Sequence, residues 1–316
     1  GLKPGRRLGC QAQIMGDVVI DVPPESQVHK QVVRKAASAR VIEMDPATRL
    51  YFVEVEEADM HEPTGDFERL QRALKAQWEI DNIRADLSLL AKLQPVLRKG
   101  KFQVTVALHR GHAETPAQVL EIWPGLHEGG LFGLAIDLGS TTVAAHLTDL
   151  ETGEVKASSG IMNPQIRFGE DLMSRVSYAM MNPGGDREMT AAVRDAINTL
   201  AEEIAKEAGI DAKLIVETVF VCNPVMHRLL LGIDPVELGQ APFALATSGS
   251  MALNARELDL VAINPRAQIY VLPCIAGHVG ADAAAVALSE EPGKSEDLAL
   301  IVDVGTNAEI LLGDKT

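Results

Sequence analysis

Apolar and polar positions along this chain repeat in blocks whose period switches between two and about 3.6, which is the signature of interleaved strands and helices. Val18–Val22 predicts a strand that Pro23–Pro24 halts. Ser26–Arg40 is polar and carries Lys and Arg, and predicts a linker or an edge strand. Arg49–Glu56 is rich in β-formers with partial alternation, and predicts a strand. Phe67, Leu70 and Leu74 stand at helical spacing and predict a helix over Asp66–Gln77. Ile83, Leu87, Leu90 and Leu93 continue that period and predict a second helix that stops near Pro95. Lys101–Leu108 and Ala117–Trp123 predict two further strands. Strands at both ends with helices between them predict a small two-layer α+β unit over 41–129.

A second unit begins after Gly129–Gly130. Leu131 opens a continuous apolar strand, then a polar Gly turn, a strand over Thr142–Thr148, a turn at Glu151–Thr152–Gly153, and a third strand. Two amphipathic helices follow. One has Leu172, Val176 and Ala179–Met180 on a shared face. The other aligns Val193, Ile197, Leu200, Ile204 and Ala208, and Gly209 is its C-cap signal. A buried strand over 217–222 leads into a short helix with Pro224 at its start and Gly232 after its end. A strand near 267–272, an Ala-rich helix after Gly280, and a final strand–turn–strand over Ala299–Leu312 complete the pattern.

Charge sharpens the boundary. The chain has 316 residues, 29 Lys/Arg and 44 Asp/Glu, for a net charge of −15. Residues 131–316 carry 12 basic and 26 acidic side chains, so nearly all of the excess lies in the second unit. Nucleic-acid binding is disfavoured, because neutralising phosphates needs a basic surface. Nucleotide binding is not, since a few backbone amides suffice. No apolar run approaches the roughly 20 residues of a bilayer span. No basic-then-apolar leader opens the sequence. Cys10, Cys222 and Cys274 are too scattered for a disulfide framework, and the expectation is a cytoplasmic protein.

The chemistry lies in a duplication. AIDLGSTTV and IVDVGTNAEI both read apolar–apolar–Asp–apolar–Gly–hydroxyl–polar, with Asp137 and Asp303 equivalent. Each places an Asp at the end of a buried strand and a Gly turn after it. These parts suit a triphosphate. Gly139 and Gly305 allow close approach of backbone to phosphate oxygens. Turn amides form an anion nest. Ser140, Thr141, Thr142, Thr306 and Asn307 supply neutral donors. Asp137 and Asp303 would hold Mg²⁺, directly or through water. An ordinary β-hairpin explains either copy alone, but explains two matched copies poorly.

These two turns resemble the phosphate motifs of the actin-like ATPase superfamily, which implies an α/β, ribonuclease H-like fold of two lobes closing on ATP. The adenosine motif of that superfamily does not follow Thr316, so the sequence reads as a fragment, cut at both ends or completed by another chain. More residues narrow the resemblance. GRRLGCQAQIMGDVVIDVP is similar to the end of a plant-type 2Fe–2S ferredoxin domain, with Cys10 as the fourth cluster ligand. MNPQIRFGEDLMSR, NPVMHRLLLGIDP, LPCIAGHVGADAAA and VDVGTNAEILLGDK together resemble the reductive activators of corrinoid proteins. The sequence departs from that pattern in lacking three cluster cysteines and in having Cys222 for an expected Gly and Pro224 for a small hydroxyl residue. The resemblance divides the chain into a ferredoxin remnant (1–26), a linker (27–40), a middle unit (41–129) and the first part of an actin-like ATPase domain (130–316). It implies ATP-dependent re-reduction of cob(II) to cob(I) by one electron from a 2Fe–2S cluster, with no intact cluster in this fragment. It implies a corrinoid protein of a methyltransferase system as partner, and it allows a homodimer.

Other residues have plainer readings. Asp282, just inside the helix after Gly280, complements a helix dipole or belongs to the Mg²⁺ and nucleotide site. Asn163, Gln165, Glu170 and Asp171 precede a helix, and capping accounts for Glu170 and Asp171. Met226 reads as core and His227 as surface; Cys274 reads as a small buried hydrophobe. His109 and His112 read as solvated loop residues, and Glu114 does not turn them into a metal site. Two functions compete with the activator: a small-molecule, sugar-type kinase of the same superfamily, and a non-enzymatic actin-like scaffold.

Overall fold

The computed structural model describes residues 43–111, 115–305 and 308–315, with Gly16. Cys10, the strand expected at Val18–Val22, the whole linker expected at 27–40, His112, Glu114, Thr306 and Asn307 lie outside the described residues.

The first sheet carries strands β1 (Thr48–Glu54), β2 (Ile83–Arg84), β3 (Gln103–His109) and β4 (Ala117–Pro124), in the order β1-β3-β4-β2. β1 and β4 flank β3 antiparallel, and β2 runs parallel to β4. Helices α1 (Asp66–Trp78) and α2 (Leu87–Lys99) supply the second layer. Val53, Val104 and Val106 from the sheet meet Leu70, Leu74, Leu89, Leu93 and Leu97 from the helices in one buried cluster. Each such side chain contributes about 1.5–3 kcal/mol by leaving water.

The helix expected from Ile83 to Pro95 is corrected in register and length. Ile83 lies in β2, and α2 starts after Asp86, whose carboxylate accepts from the Leu89 N–H at 2.8 Å. That cap sets the phase, so Leu89, Leu93 and Leu97 are buried while Leu87 is 82% exposed. The leucine-rich run admits both phases, and periodicity alone does not choose between them. Pro95 sits inside the helix, which continues to Lys99. The proline removes one backbone bond, but burial of Leu97 holds the last turn.

The second sheet contains β5 (Phe132–Leu138), β6 (Thr142–Asp149), β7 (Val155–Met162), β8 (Ile215–Cys222), β9 (Met251–Asn254) and β10 (Gln268–Val271), in the order β7-β6-β5-β8-β10-β9. β5, β6 and β7 form an antiparallel meander. β8 lies parallel to β5, and β10 parallel to β8. The crossover from β7 to β8 runs through α3 (Leu172–Met181) and α4 (Gly185–Ala208). α4 buries Met189, Val193, Ile197, Leu200 and Ile204 and ends on Gly209, whose φ of 71° is left-handed. On α3, Val176 is buried but Met180 is 61% exposed, so the expected apolar face excludes Met180. α5 (Pro224–Leu231) follows β8, α6 (Ala281–Glu290) follows β10, and β11 (Ala299–Val304) pairs with β12 (Ala308–Gly313).

A charged seam joins the two sheets' units. Arg266, 5% exposed, donates to the Leu120 carbonyl, to Ser88 Oγ at 2.8 Å and to Glu121 at 2.7 Å. Glu121 also accepts from Lys92 and Asn264. His109 is corrected from a solvated loop to this seam. It ends β3, and its Nδ1 lies 3.0 Å from Thr48 Oγ1 and 3.3 Å from Glu217. Bonds from His109 and Thr48 outweigh the effect of burial and hold the Glu217 carboxyl below its ordinary range.

Candidate functional site

The β5–β6 hairpin turns on Gly139, whose N–H donates to the Thr142 carbonyl at 2.9 Å. A Cβ at Gly139 would stand 2.8 Å from that oxygen, so any larger residue would open the turn. The three carbonyls inside this turn all accept from the protein interior. Asn163 Nδ2 donates to the Gly139 carbonyl at 2.8 Å. The Arg175 guanidinium donates to the Ser140 carbonyl. The Asn163 backbone N–H donates to the Thr141 carbonyl at 2.8 Å. In a trans peptide the N–H points opposite to the C=O. A turn whose carbonyls face inward therefore directs the N–H groups of Ser140, Thr141 and Thr142 outward, the orientation an anion nest requires.

Two helix starts meet this turn. Asn223 caps α5 by accepting from the Met226 N–H at 3.0 Å, and its Nδ2 donates to Ser140 Oγ at 3.1 Å. Gly280 precedes α6, and a Cβ there would lie 2.6 Å from both Asn223 Cα and the Cys222 carbonyl. The missing side chain lets the two helix N-termini approach, and each carries partial positive charge. Asp282 lies in the first turn of α6. Burial pushes its carboxyl up, and the charges of Asp137 and Asp303 push it further, against a bond from the Ala283 N–H. Glu309 is also raised, by burial and then by Asp282 and Asp303. Asp282 thus senses both duplicated aspartates.

Asp137 and Asp303 do not occupy adjacent strands. Both edges of β5 are taken, by β6 and β8, so β11 pairs with β12 in a separate two-stranded sheet. Gly305 follows that hairpin's first strand, next to Thr306 and Asn307, which lie outside the described residues. Among the described residues, no three His, Cys, Asp or Glu side chains form a metal-holding group. Mg²⁺ does not need one, since it binds through one or two carboxylates plus substrate phosphates and water.

Sequence reasoning missed Arg175. It is fully buried, and it donates Nε to the Gly169 carbonyl at 3.0 Å and Nη1 to Gln165 Oε1 at 3.2 Å as well as Nη2 to Ser140. Burial lowers its pKa to about 10, with Asp171 opposing, so it remains a cation at neutral pH. The available signal was an arginine beside Val176 on the apolar face of α3. Asn163 and Gln165 are both fully buried and belong to the same network, whereas Asp171 is the cap of α3, accepting from Ser174 at 2.7 Å. His227 is corrected from surface to core: it is 1% exposed, and its Nε2 has no hydrogen-bond partner among the described residues. Burial, then Arg228, lowers its pKa. Met226 and Cys274 are buried as expected. Burial pushes the Cys222 thiol well up and Cys274 to about 11, as suits cysteines packed in a core.

Residues 132–293 match the family model described as the RACo middle region, and residues 37–129 match the RACo linker region. The first of these matches alone spans just over half of the chain, and the protein belongs to the RACo family. Over 187 residues it is 34% identical to the corrinoid activation enzyme RamQ of Eubacterium limosum, covering 59% of this chain and 31% of that relative. A solved structure titled "reductive activator for corrinoid, iron-sulfur protein" superposes with a TM-score of 0.78 at 30% identity, over 93% of this chain and 48% of that one. The chain thus spans less than half the length of either relative. No helix among the described residues is long and apolar enough to cross a membrane.

Proposed function

We propose that this chain is the linker and first nucleotide-binding part of an ATP-dependent reductive activator, which returns the cobalt of a partner corrinoid protein from cob(II) to cob(I). The carrying observation is the inward pinning of the Gly139, Ser140 and Thr141 carbonyls. The meander-plus-parallel order of the six-stranded sheet supports the actin-like, ribonuclease H-like reading of 130–316. Relatives named as corrinoid activators favour this reading over the sugar-type kinase.

The residues fit a magnesium nucleotide. The outward amides of Ser140, Thr141 and Thr142 would bind phosphate oxygens, with Gly139 allowing their approach. Asp137 and Asp303 would orient the water shell of Mg²⁺, and a divalent charge would relieve the repulsion that raises Asp282. Thr306 and Asn307 would add donors from the second turn. Bound Mg²⁺ would neutralise the charge that develops on the phosphates. ATP can drive an uphill reduction only by binding two conformations unequally, and closure over this turn is the natural two-state element. The described cysteines do not fit a 2Fe–2S cluster; in this reading the cluster belongs to a ferredoxin-like domain that ends near residue 26, with Cys10 as one ligand.

In the full-length protein, Asp137→Ala should lower ATP turnover by roughly tenfold or more, because the metal and triphosphate lose an anchor. ATP-dependent corrinoid reduction should fail, while electron transfer to a free dye persists. Intact corrinoid reduction in Asp137→Ala would reduce the turn to a structural hairpin.

A further inference from the structure

A buried guanidinium with no carboxylate hydrogen-bonded to it is an unusual element, because removing a full charge from water is costly unless something compensates. Arg175 is such a group. It is fully buried, and among the described residues its hydrogen-bond partners are the Ser140 and Gly169 carbonyls, Gln165 Oε1 and Met226 Sδ, none of them an anion; the Asp171 carboxylate acts on it only through its field. A purely structural tie between α3 and the hairpin would be served by a neutral amide such as Asn163, which already holds the Gly139 carbonyl. What the arginine adds is a net positive charge behind the turn. It adds polarisation as well. A cationic donor on the Ser140 carbonyl draws electron density along that peptide and makes the Thr141 N–H on its far side a stronger donor.

Resting on the reading of this turn as the phosphate site, we propose that Arg175 is a positioning residue for the nucleotide, acting from behind the turn through the Ser140–Thr141 peptide to strengthen its grip on anionic phosphate. Three features make the position specific. The fork spans two carbonyls, so it fixes the Ser140 peptide plane relative to Gly169 at the foot of α3. Gln165 is itself tied through Nε2 to the Met189 carbonyl at 2.8 Å, so it orients the guanidinium from a rigid point on α4. The neighbouring Ser140 Oγ is bonded to Asn223, so the same residue is held from two directions. The bound charge would be the phosphate chain rather than the base, and the benefit should grow with the number of phosphates.

The test compares Arg175→Lys with Arg175→Gln in the full chain, with calorimetric binding of ATP, ADP and AMP in the presence of Mg²⁺. Both variants lose the fork; Arg175→Lys keeps the charge, whereas Arg175→Gln keeps only a neutral donor at the level of Nε, where the Gly169 carbonyl lies. Arg175→Lys should bind ATP about three- to tenfold more weakly than wild type, and Arg175→Gln at least about fivefold more weakly again. The gap between the two variants should shrink from ATP to AMP. Equal affinities in the two variants, or a gap independent of phosphate number, would reduce Arg175 to a structural tie. Should Arg175→Gln not fold, Arg175→Lys alone decides, because unchanged ATP affinity there also overturns the proposal. Asp137→Ala is the control for the underlying reading. If it abolishes ATP binding while both Arg175 variants bind like wild type, Arg175 fails and the phosphate site stands. If ATP binding survives Asp137→Ala as well, the site itself is misplaced.

Discussion

The two copies of the Asp–apolar–Gly motif are near twins in sequence and differ sharply in setting. Leu138 follows Asp137 and is fully buried; Val304 follows Asp303 and is 75% exposed. The first copy lies in the middle of a six-stranded sheet, and its turn is pinned by Asn163, Arg175 and Asn223. The second is a lone hairpin, on which Leu300, Val302, Ile310 and Leu312 form one apolar face, each at least half exposed. Two-stranded ribbons are marginal in water. A short motif specifies a local turn, therefore, while the rigidity of that turn comes from residues far away in the chain. In the first copy these are Asn163, Arg175 and Asn223; the turn residues of the second copy lie outside the described residues.

The largest contrast should appear when the equivalent apolar residues are truncated. Leu138→Ala should destabilise this chain by about 2–5 kcal/mol, because a closed core cannot collapse onto the void. Val304→Ala should fall within about 0.5 kcal/mol, as for other exposed positions. Urea midpoints of the two variants check this directly, and comparable losses would mean that the hairpin face is covered in solution.

Next in size is the pinning itself. Asn163→Ala leaves the Gly139 carbonyl without its side-chain donor and the following turn without its cap at Gln165. A loss of about 1–3 kcal/mol is expected in thermal or denaturant unfolding. ATP affinity should fall in parallel, since the turn amides lose their orientation.

What was legible in the sequence divides along the same line. α1, α4 and α5 announced themselves by period and by Gly209, Pro224 and Gly232, all local signals. The matched hairpins were legible for the same reason. The phase of α2 was not, because Leu87 and Leu89 both continue a helical period and only the Asp86 cap discriminates. Arg175 was not, because its partner Ser140 lies 35 positions away. The separation of the two hairpins was not either, since nothing in a strand's own residues records that both its edges are occupied.

A smaller effect links the copies through Asp282. Its folded pKa is raised, so its contribution to stability is complete below the unfolded value and is lost as pH rises through the folded one. Wild type should accordingly lose ground to Asp282→Asn as pH climbs through the carboxylate range, from about 4 upward. At neutral pH the nucleotide-free variant should melt higher than wild type. With magnesium nucleotide the order should reverse, because the variant lacks the charge that the cation would relieve. A variant that melts below wild type at neutral pH without nucleotide would mean that Asp282 caps α6 and does little else.

The smallest effect tests whether the second hairpin shares the first one's field at all. Glu309 is raised by burial and then by Asp282 and Asp303, although it sits on a mostly exposed ribbon. Coupling between two titrating groups is reciprocal, so whatever Asp282 does to Glu309, Glu309 does to Asp282. Glu309→Gln should therefore lower the pKa of Asp282 while changing stability by less than about 0.5 kcal/mol, as expected of a half-exposed charge. Carboxyl ¹³C titration in the two backgrounds reads the shift without requiring any nucleotide. A shift places the β11–β12 carboxylates in the same electrostatic site as Asp137, which is what a two-turn phosphate clamp demands. If the Asp282 titration does not move, the hairpin stands apart in solution, and the two motifs then share a sequence without sharing a ligand.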